Sequence, residues 1–289
     1  ARLILGEGNV YDHEQVKAVF GTNLDLKDLP PLEFSESDLE KARKEKMILV
    51  LRISHDQEGN PLTPKRMHEL LAPRLTSEGH GNIFLPNMGW DYQSEKFFTD
   101  ETPVAPSPMS SHPLPSEGED ISPPLRGGAR GGWTPRAEWK LVTREVVEGS
   151  TSKNYIAQTK LIRDKLKDNG WLTPEESDEC SDALLDSLQK LLDDDFRKNW
   201  KQVAETLANL KITQNHRRSF ASALYDTMLV FLASEEHPDR LLEKKRDWTQ
   251  SRSSDGSLVS LGVFGAGGAR VLGWLPGGAG GVLGACFSR

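Results

Sequence analysis

The sequence predicts an α+β fold with a helical middle and a C-terminal antiparallel meander, on three observations. Met47 to Ile53, M-I-L-V-L-R-I, is a nearly continuous β-rich run, the pattern of a strand buried on both faces. Between Ser152 and Glu236, apolar residues recur at three-to-four spacing in three stretches, which marks amphipathic helices. From Leu258 onward, three short β-like runs are separated by glycine-rich turn sequences, the punctuation of paired strands.

Taken in order, Asp12 to Phe20 reads as a short helix with Val16, Ala18 and Val19 apolar, and Ser35 to Lys44 opens on S-E-S-D, a helix-start signal. The strand Met47 to Ile53 ends at a D-Q-E-G-N-P turn, and Thr63 to Leu71 is expected to be a helix with Pro64 in its first turn. Asn82 to Phe98, rich in Phe, Trp and Tyr, reads as strands and loops, and Trp139 to Val147 as a further strand. Ser152 is placed to cap a helix running to Asp168, with Tyr155, Ile162 and Leu166 on one face and Gly170 just past its end. Leu188, Leu192, Phe196, Trp200, Val203, Leu207 and Leu210 make one or two amphipathic helices, and Ser219 to Glu236 another, ended by Pro238. The β-like runs are Leu258 to Phe264, Arg270 to Leu275 and Val282 to Phe287, preceded by the hairpin signal Asp255-Gly256.

Composition narrows the function classes. A chain of 289 residues can bury a sizeable core without disulfides. A net charge of -7 and a pI near 5.6 argue against a whole-chain grip on nucleic acid or anionic membrane. No apolar run approaches the roughly 18 residues of a membrane span; the best, Met228 to Ala233, is far too short. The two cysteines, Cys180 and Cys286, read as free thiols of a reducing compartment. No signal peptide is visible after Ala1, so a cytoplasmic location is expected, although a processed start would hide such a segment.

Eight of the 17 prolines fall between Pro103 and Pro135, in a stretch with almost no apolar content to offset ordering entropy. This is expected to be a disordered Pro/Gly-rich insert. Its blocks P-L-P-S-E-G-E and S-P-P-L-R-G-G-A-R-G-G look like a translated inverted repeat, and a Pro-rich docking peptide is the weaker alternative because no regular P-x-x-P frame is present. The chain then divides into an N-terminal helical segment (1–46), the first half of a body (47–103), the insert (104–135), the strand and helical second part of the body (136–245) and a C-terminal segment (246–289). From Gly256 to Arg289 there is no acidic residue, and eleven of the 25 glycines lie between Gly256 and Gly284. Composition alone suggests a floppy tail, but the spacing of the three runs favours a meander.

That C-terminal segment carries a specific likeness. Within Arg246 to Arg289, the pieces S-R-S-S-D-G, L-V, L-G, F, A-x-G-A, V, G-W-x-P, A and L-G-A-C-F-S-R resemble the fixed frame of the variable region in target proteins of diversity-generating retroelements, especially those of small-genome uncultured bacteria. Upstream, L-V-L-R-I, P-L-T, W-K-L-V-T-R-E-V-V and S-T-S-K are similar to the body of such targets. The resemblance implies a C-type-lectin-like domain with flanking helices, and 246–289 as its variable region. It also implies a diversified ligand-binding or display protein. A reverse transcriptase acts on the gene rather than on the protein, copying a template RNA with errors at adenines. Template codons AAC or AAT then yield many residue types but never Lys, Glu, Gln, Met or Trp.

The positions that the resemblance marks as variable are Ser257, Ser260, Val263, Gly265, Arg270, Leu272, Gly273, Leu275, Gly277, Gly278, Gly280, Gly281 and Val282, none of a forbidden type. They are expected to face outward or to lie in loops, between the buried anchors Leu258, Leu261, Phe264, Trp274, Leu283 and Phe287. The ligand itself is expected to vary and to be a protein.

Two other readings compete. Formylglycine-generating enzymes share the implied fold class, but their chemistry needs paired reactive cysteines. Here Cys180 sits in D-E-C-S-D, whose carboxylates would raise a thiol pKa, and Cys286 in apolar G-A-C-F, so no catalytic residue is assigned. A plain structural or interaction domain is the other alternative. The seven histidines show no H-x-x-x-H pairing and Asp193-Asp194-Asp195 lacks calcium-loop spacing, so no metal or cofactor is expected and surface solvation is the reading for each. Asn215 to Arg218, N-H-R-R, with Lys211, could touch phosphate but reads better as a solvated helix end, and nucleic acid is not expected as a partner.

Overall fold

Capping residues and apolar runs divide the chain much as its pattern predicts. The computed structural model describes residues 1–22, 27, 29–86, 90–104, 136–233 and 240–289. Helix α1 (Arg2–Leu5) and strand β1 (Val10–Tyr11) precede α2 (His13–Phe20), which Asp12 caps through a reciprocal box with Gln15 and which stops at left-handed Gly21. Ser35 and Asp38 form the same box at the start of α3 (Glu36–Lys44).

Strand β2 (Met47–Ile53) is buried at all seven positions, with Ile48 and Val50 in one apolar cluster and Met47 and Leu49 in the other. The strand thus separates two cores. It pairs in parallel with β1 and antiparallel with β3 (Ala137–Thr143), which ends four residues short of the expected Val147.

Helix α4 (Pro64–Ser77) continues past the predicted Leu71, through Pro73, because Leu75 returns to the core. Among the described residues of Asn82 to Phe98, the expected strands do not form. Phe84 makes a single bridge to Ala269, and a 3-10 turn at Tyr92–Ser94 leads into α5 (Lys96–Thr99). The aromatic side chains of this stretch pack instead as a tilted and edge-on cluster of Phe84, Tyr92, Phe97 and Phe98 against Phe220. Of the expected insert only Val104 lies among the described residues, and it is buried.

Asn154, not Ser152, caps α6 (Tyr155–Asp168); Ser152 instead takes a left-handed turn at φ 62°. Helix α7 (Pro174–Glu179) follows, and then the long stripe breaks into α8 (Asp182–Asp194) and α9 (Phe196–Asn209), with Asp195 capping the second. A short α10 (Lys211–His216) leads to α11 (Phe220–Ala233). The expected single apolar stripe of α11 is incomplete as a description, since every residue from Phe220 to Leu232 is buried. The predicted end of this helix at Glu236 and Pro238 lies outside the described residues.

The second sheet comprises β4 (Arg246–Arg252), β5 (Leu258–Gly265), β6 (Gly268–Trp274) and β7 (Leu283–Gly284), in the order β6-β5-β4-β7. Strands β4, β5 and β6 form the antiparallel meander. The third predicted run departs from it. Only Leu283 and Gly284 are strand, and they lie parallel to β4, because the chain crosses over after β6 to reach the far edge. Residues 285–289 then pair with the first sheet, where Arg289 and Leu141 exchange backbone hydrogen bonds and Phe287 accepts from Thr143. The architecture is α+β with two small sheets joined by the C-terminal residues.

A buried ionic chain locks this junction. Asp226 of α11 accepts a bidentate pair from Arg52 of β2 at 3.0 and 2.7 Å, and a third bond from Arg218 at 3.4 Å. Arg218 also donates to Asp247 of β4 at 2.8 Å, whose other oxygen accepts from the Cys286 backbone N–H at 2.8 Å. Fully paired buried charges of this kind fix relative placement, because each becomes costly if its partner moves.

Candidate binding face

Strand alternation sorts the C-terminal sheet into two faces. Val259, Leu261, Ala269 and Val271 point into the same cluster as α11. The opposite face carries three cross-strand rows: Arg246, Gly262 and Arg270; Trp248, Ser260 and Leu272; and Leu258 with Trp274. Beyond Trp274, residues 275–282 fold back beside this face. The Val282 carbonyl accepts from Arg246 N–H at 2.7 Å, Pro276 accepts from Tyr155 N–H and Gly280 from Ser152 N–H, each at 3.0 Å. The N-terminus of α6 therefore anchors the loop.

Of the thirteen positions singled out by the sequence, Arg270, Gly273, Gly281 and Val282 are exposed, and Val263, Gly265, Leu272, Leu275, Gly277, Gly278 and Gly280 are partly so. Ser257 and Ser260 are buried, against the expectation that all face outward or into loops. Ser260 lies in the Trp248 row and donates to the Leu272 carbonyl at 3.3 Å; Ser257 N–H is held by Asp255 in the hairpin turn. A small hydroxyl is compatible with either environment, so Ser gave no warning. Among the expected anchors, Leu258, Leu261, Phe264, Leu283 and Phe287 are buried, whereas Trp274 is only partly so, with its ring edge-on to Trp248.

The glycines separate by the space around them. A Cβ on Gly262 would sit 2.2 Å from the Lys245 carbonyl oxygen, and one on Gly284 would sit 2.7 Å from the Val146 side chain. Both belong to the pieces that the resemblance implies are fixed. A Cβ on Gly265 or Gly281 would meet nothing within 4 Å, and one on Gly280 only ordinary contacts. Gly277 and Gly278 are tighter, against the Phe196 and Trp274 rings respectively. Val263 is a backbone exception: it holds φ 51° beside the β5 bulge, a left-handed conformation that strains a β-branched residue and that Asn tolerates far better.

The exposed chemistry of the face is cationic and apolar. Burial, and then repulsion from Arg270, lowers the Arg246 guanidinium pKa. Val282 and Phe196 are two of the few large apolar side chains left exposed among the described residues, and they flank the same loop.

Other candidate chemistry resolves into structure. Cys180 and Cys286 are both buried, and burial above all pushes their thiols up to about 11 and about 12, against nucleophilic use. The expected solvated end at Asn215 to Arg218 is wrong for three of its residues. His216 is buried between the Ser288 carbonyl at 2.9 Å and Glu176 at 3.1 Å. Arg217 stacks on Tyr155 and donates to the Trp248 and Tyr155 carbonyls, while Arg218 belongs to the ionic chain. Asp193 to Asp195 are exposed, as expected, and no cluster of three metal-ligating side chains occurs among the described residues. No helix among them is long and apolar enough to cross a membrane.

No family model, curated protein or solved structure matches the chain.

Proposed function

We propose that the sheet face and loop between Ser257 and Val282 are a diversified ligand-binding surface. On this reading the fold is a C-type-lectin-like scaffold, the ligand is a protein, and a reverse transcriptase varies the gene at adenines. The observation that carries the reading is the match between mutability and space. Eleven of thirteen marked positions are exposed or partly exposed, while frame residues Leu258, Val259, Leu261, Phe264, Ala269, Val271, Leu283, Ala285, Cys286 and Phe287 are buried. Frame glycines Gly262 and Gly284 have no room for a side chain; marked glycines Gly265 and Gly281 have it, while Gly277 and Gly278 are tight against the Phe196 and Trp274 rings. Val263 adds independent support, because a random draw from an Asn codon explains a Val where the backbone at φ 51° suits Asn.

A library varying Arg270, Leu272, Gly281 and Val282 together tests the reading. The expected result is retained folding across most members and selectable binding to different proteins. Loss of folding in most members would make these positions structural and leave a plain interaction domain. The flanking DNA supplies a second test: a near-copy of the segment encoding 251–289, differing at adenines, is expected beside a reverse-transcriptase gene.

A further inference from the structure

A second recess lies away from this face. It is a cleft of about 710 Å³ bounded by Lys96 and Phe97, Asp100 to Pro103, the Arg136 end of β3, Arg217 to Ser219 and β4 residues Gln250 to Arg252. That volume is within the range of small-molecule sites. None of the thirteen marked positions lines it, so its chemistry stays constant while the other face changes.

Its lining holds seven cationic against three acidic side chains. Three of the cations are spent on the protein itself: Arg52 and Arg218 in the ionic chain, Arg217 on backbone carbonyls. Lys140 faces Glu138 at 3.6 Å, and Arg252 makes one long bond, 3.4 Å, to the Gly256 carbonyl. Lys96 and Arg136 have no hydrogen-bond or ion-pair partner for their side chains among the described residues. Deeper in, the Arg217 Nε is buried without a partner. The side-chain amides of Gln214 and Gln250 also line the recess without a bond among the described residues.

With Arg52 and Arg218 neutralised by the ionic chain, five cations still face three acids, so the lining stays net cationic. The Glu101 carboxylate accepts from Ser251 Oγ at 2.6 Å and from the first N–H groups of α11, and the Asp100 carboxylate accepts from Thr99.

We infer that this cleft binds a small hydroxylated anion, a phosphorylated or carboxylated sugar-sized molecule, with Lys96 and Arg136 taking the oxyanion and the Gln214 and Gln250 amides taking hydroxyls. A recessed site suits a small molecule, since a nucleic-acid groove needs a basic stripe that follows the backbone. Charge-assisted bonds supply the affinity and the amides the orientation.

Calorimetric titration of the full chain at low salt tests this with glucose 6-phosphate, glucuronate, glucose and a single-stranded oligonucleotide. Glucose 6-phosphate, glucuronate or both are expected to bind, the first alone pointing to a phosphate ligand and the second alone to a carboxylate. The double variant Lys96→Gln, Arg136→Gln should weaken binding by at least about tenfold, from the loss of charge-assisted bonds. Arg270→Gln, on the other face, should change nothing. Failure of both anions to bind, equal binding of glucose, or tighter binding of the oligonucleotide would overturn the inference. So would unchanged affinity in the double variant with its circular-dichroism spectrum intact. Because no marked position lines the cleft, these outcomes are independent of the diversified-surface reading.

Discussion

Replacing Glu101 with Gln should change how stability depends on pH. The Glu101 carboxyl is sandwiched between Ser251 and the N-terminus of α11, and burial raises its pKa from 4.5 to about 7 despite the three hydrogen bonds that oppose the shift. A carboxyl with a raised pKa binds its proton more tightly in the folded chain than in the unfolded one. The stabilisation is therefore complete below about 4.5 and is lost as pH rises through about 7. A rise from 4.5 to about 7 corresponds to about 3 kcal/mol, reduced toward about 2 kcal/mol by the water that reaches the partly exposed residue.

Other carboxylates oppose this trend, since Asp38 is held down to about 2 by Ser35, Trp171 and Arg289 in spite of its burial, and Asp56 and Asp255 are likewise lowered. The wild-type curve alone is consequently ambiguous, and the quantity to measure is the difference from Glu101→Gln. Urea unfolding of both proteins at pH values around 5 and 8 supplies it. Gln keeps the carbonyl acceptor for Ser251 and for the helix N–H groups and never ionises. The variant should gain about 2 to 3 kcal/mol on the wild type between the acid and the alkaline measurement. Parallel curves for the two proteins would refute the assignment of a buried, proton-retaining Glu101.

Three further outcomes follow from the packing. Asp226→Ala should destabilise by about 3 to 5 kcal/mol, because it strands the buried Arg52 and Arg218 guanidiniums; chemical denaturation measures this, and a loss near zero would mean that the chain of charges is dispensable. Gly262→Ala and Gly284→Ala should each cost about 1 to 3 kcal/mol through overpacking, while Gly281→Ala stays within about 0.5 kcal/mol, as thermal melts would show by separating the two groups. Val263→Asn should raise stability by about 1 kcal/mol by relieving the left-handed strain at φ 51°, and an unchanged melting temperature would indicate that Val263 is not strained.

Much of the fold was legible wherever one short segment carries its own cause. Met47 to Ile53 is apolar enough to declare a doubly buried strand, and Ser35 with Asp38 declares a helix start. What escaped depends on partners far along the chain. Strand β4, R-D-W-T-Q-S-R, looks polar, yet Asp247 and Trp248 are fully buried because Arg218 neutralises the one and Tyr155 packs edge-on against the other. Asp226, Ser222 and Thr227 made α11 look half solvated, and each is buried with a hydrogen-bond partner. Helix α7 went unpredicted, although its T-P-E-E start carries the capping pair Thr173 and Glu176 that marks a helix entry. In the candidate site, the outward-facing Arg270 and Val282 were expected only through the family resemblance, and the same resemblance misplaced the buried Ser257 and Ser260, since serine fits either side.

The way the C-terminal residues are fastened explains how a face could vary without unsettling the rest. The loop at 275–282 starts from β6 and ends at β7, and both of those strands are held by others: β6 by β5, and β7 by β4. Immediately after β7, residues 285–289 are stitched to β3 by backbone bonds, and Cys286 N–H is fixed by Asp247. Backbone pairing of this kind is indifferent to side-chain identity. Even the loop's own anchors are of that type, because Tyr155 and Ser152 donate their N–H groups to the carbonyls of Pro276 and Gly280. A substitution at Leu275, Gly280, Gly281 or Val282 therefore leaves in place the bonds that position it. The side chains that must not change are those filling the two cores and those, such as Gly262 and Gly284, that leave room for a neighbouring element. Separating backbone anchorage from side-chain display in this way would let one scaffold carry many surfaces, as the proposed function requires.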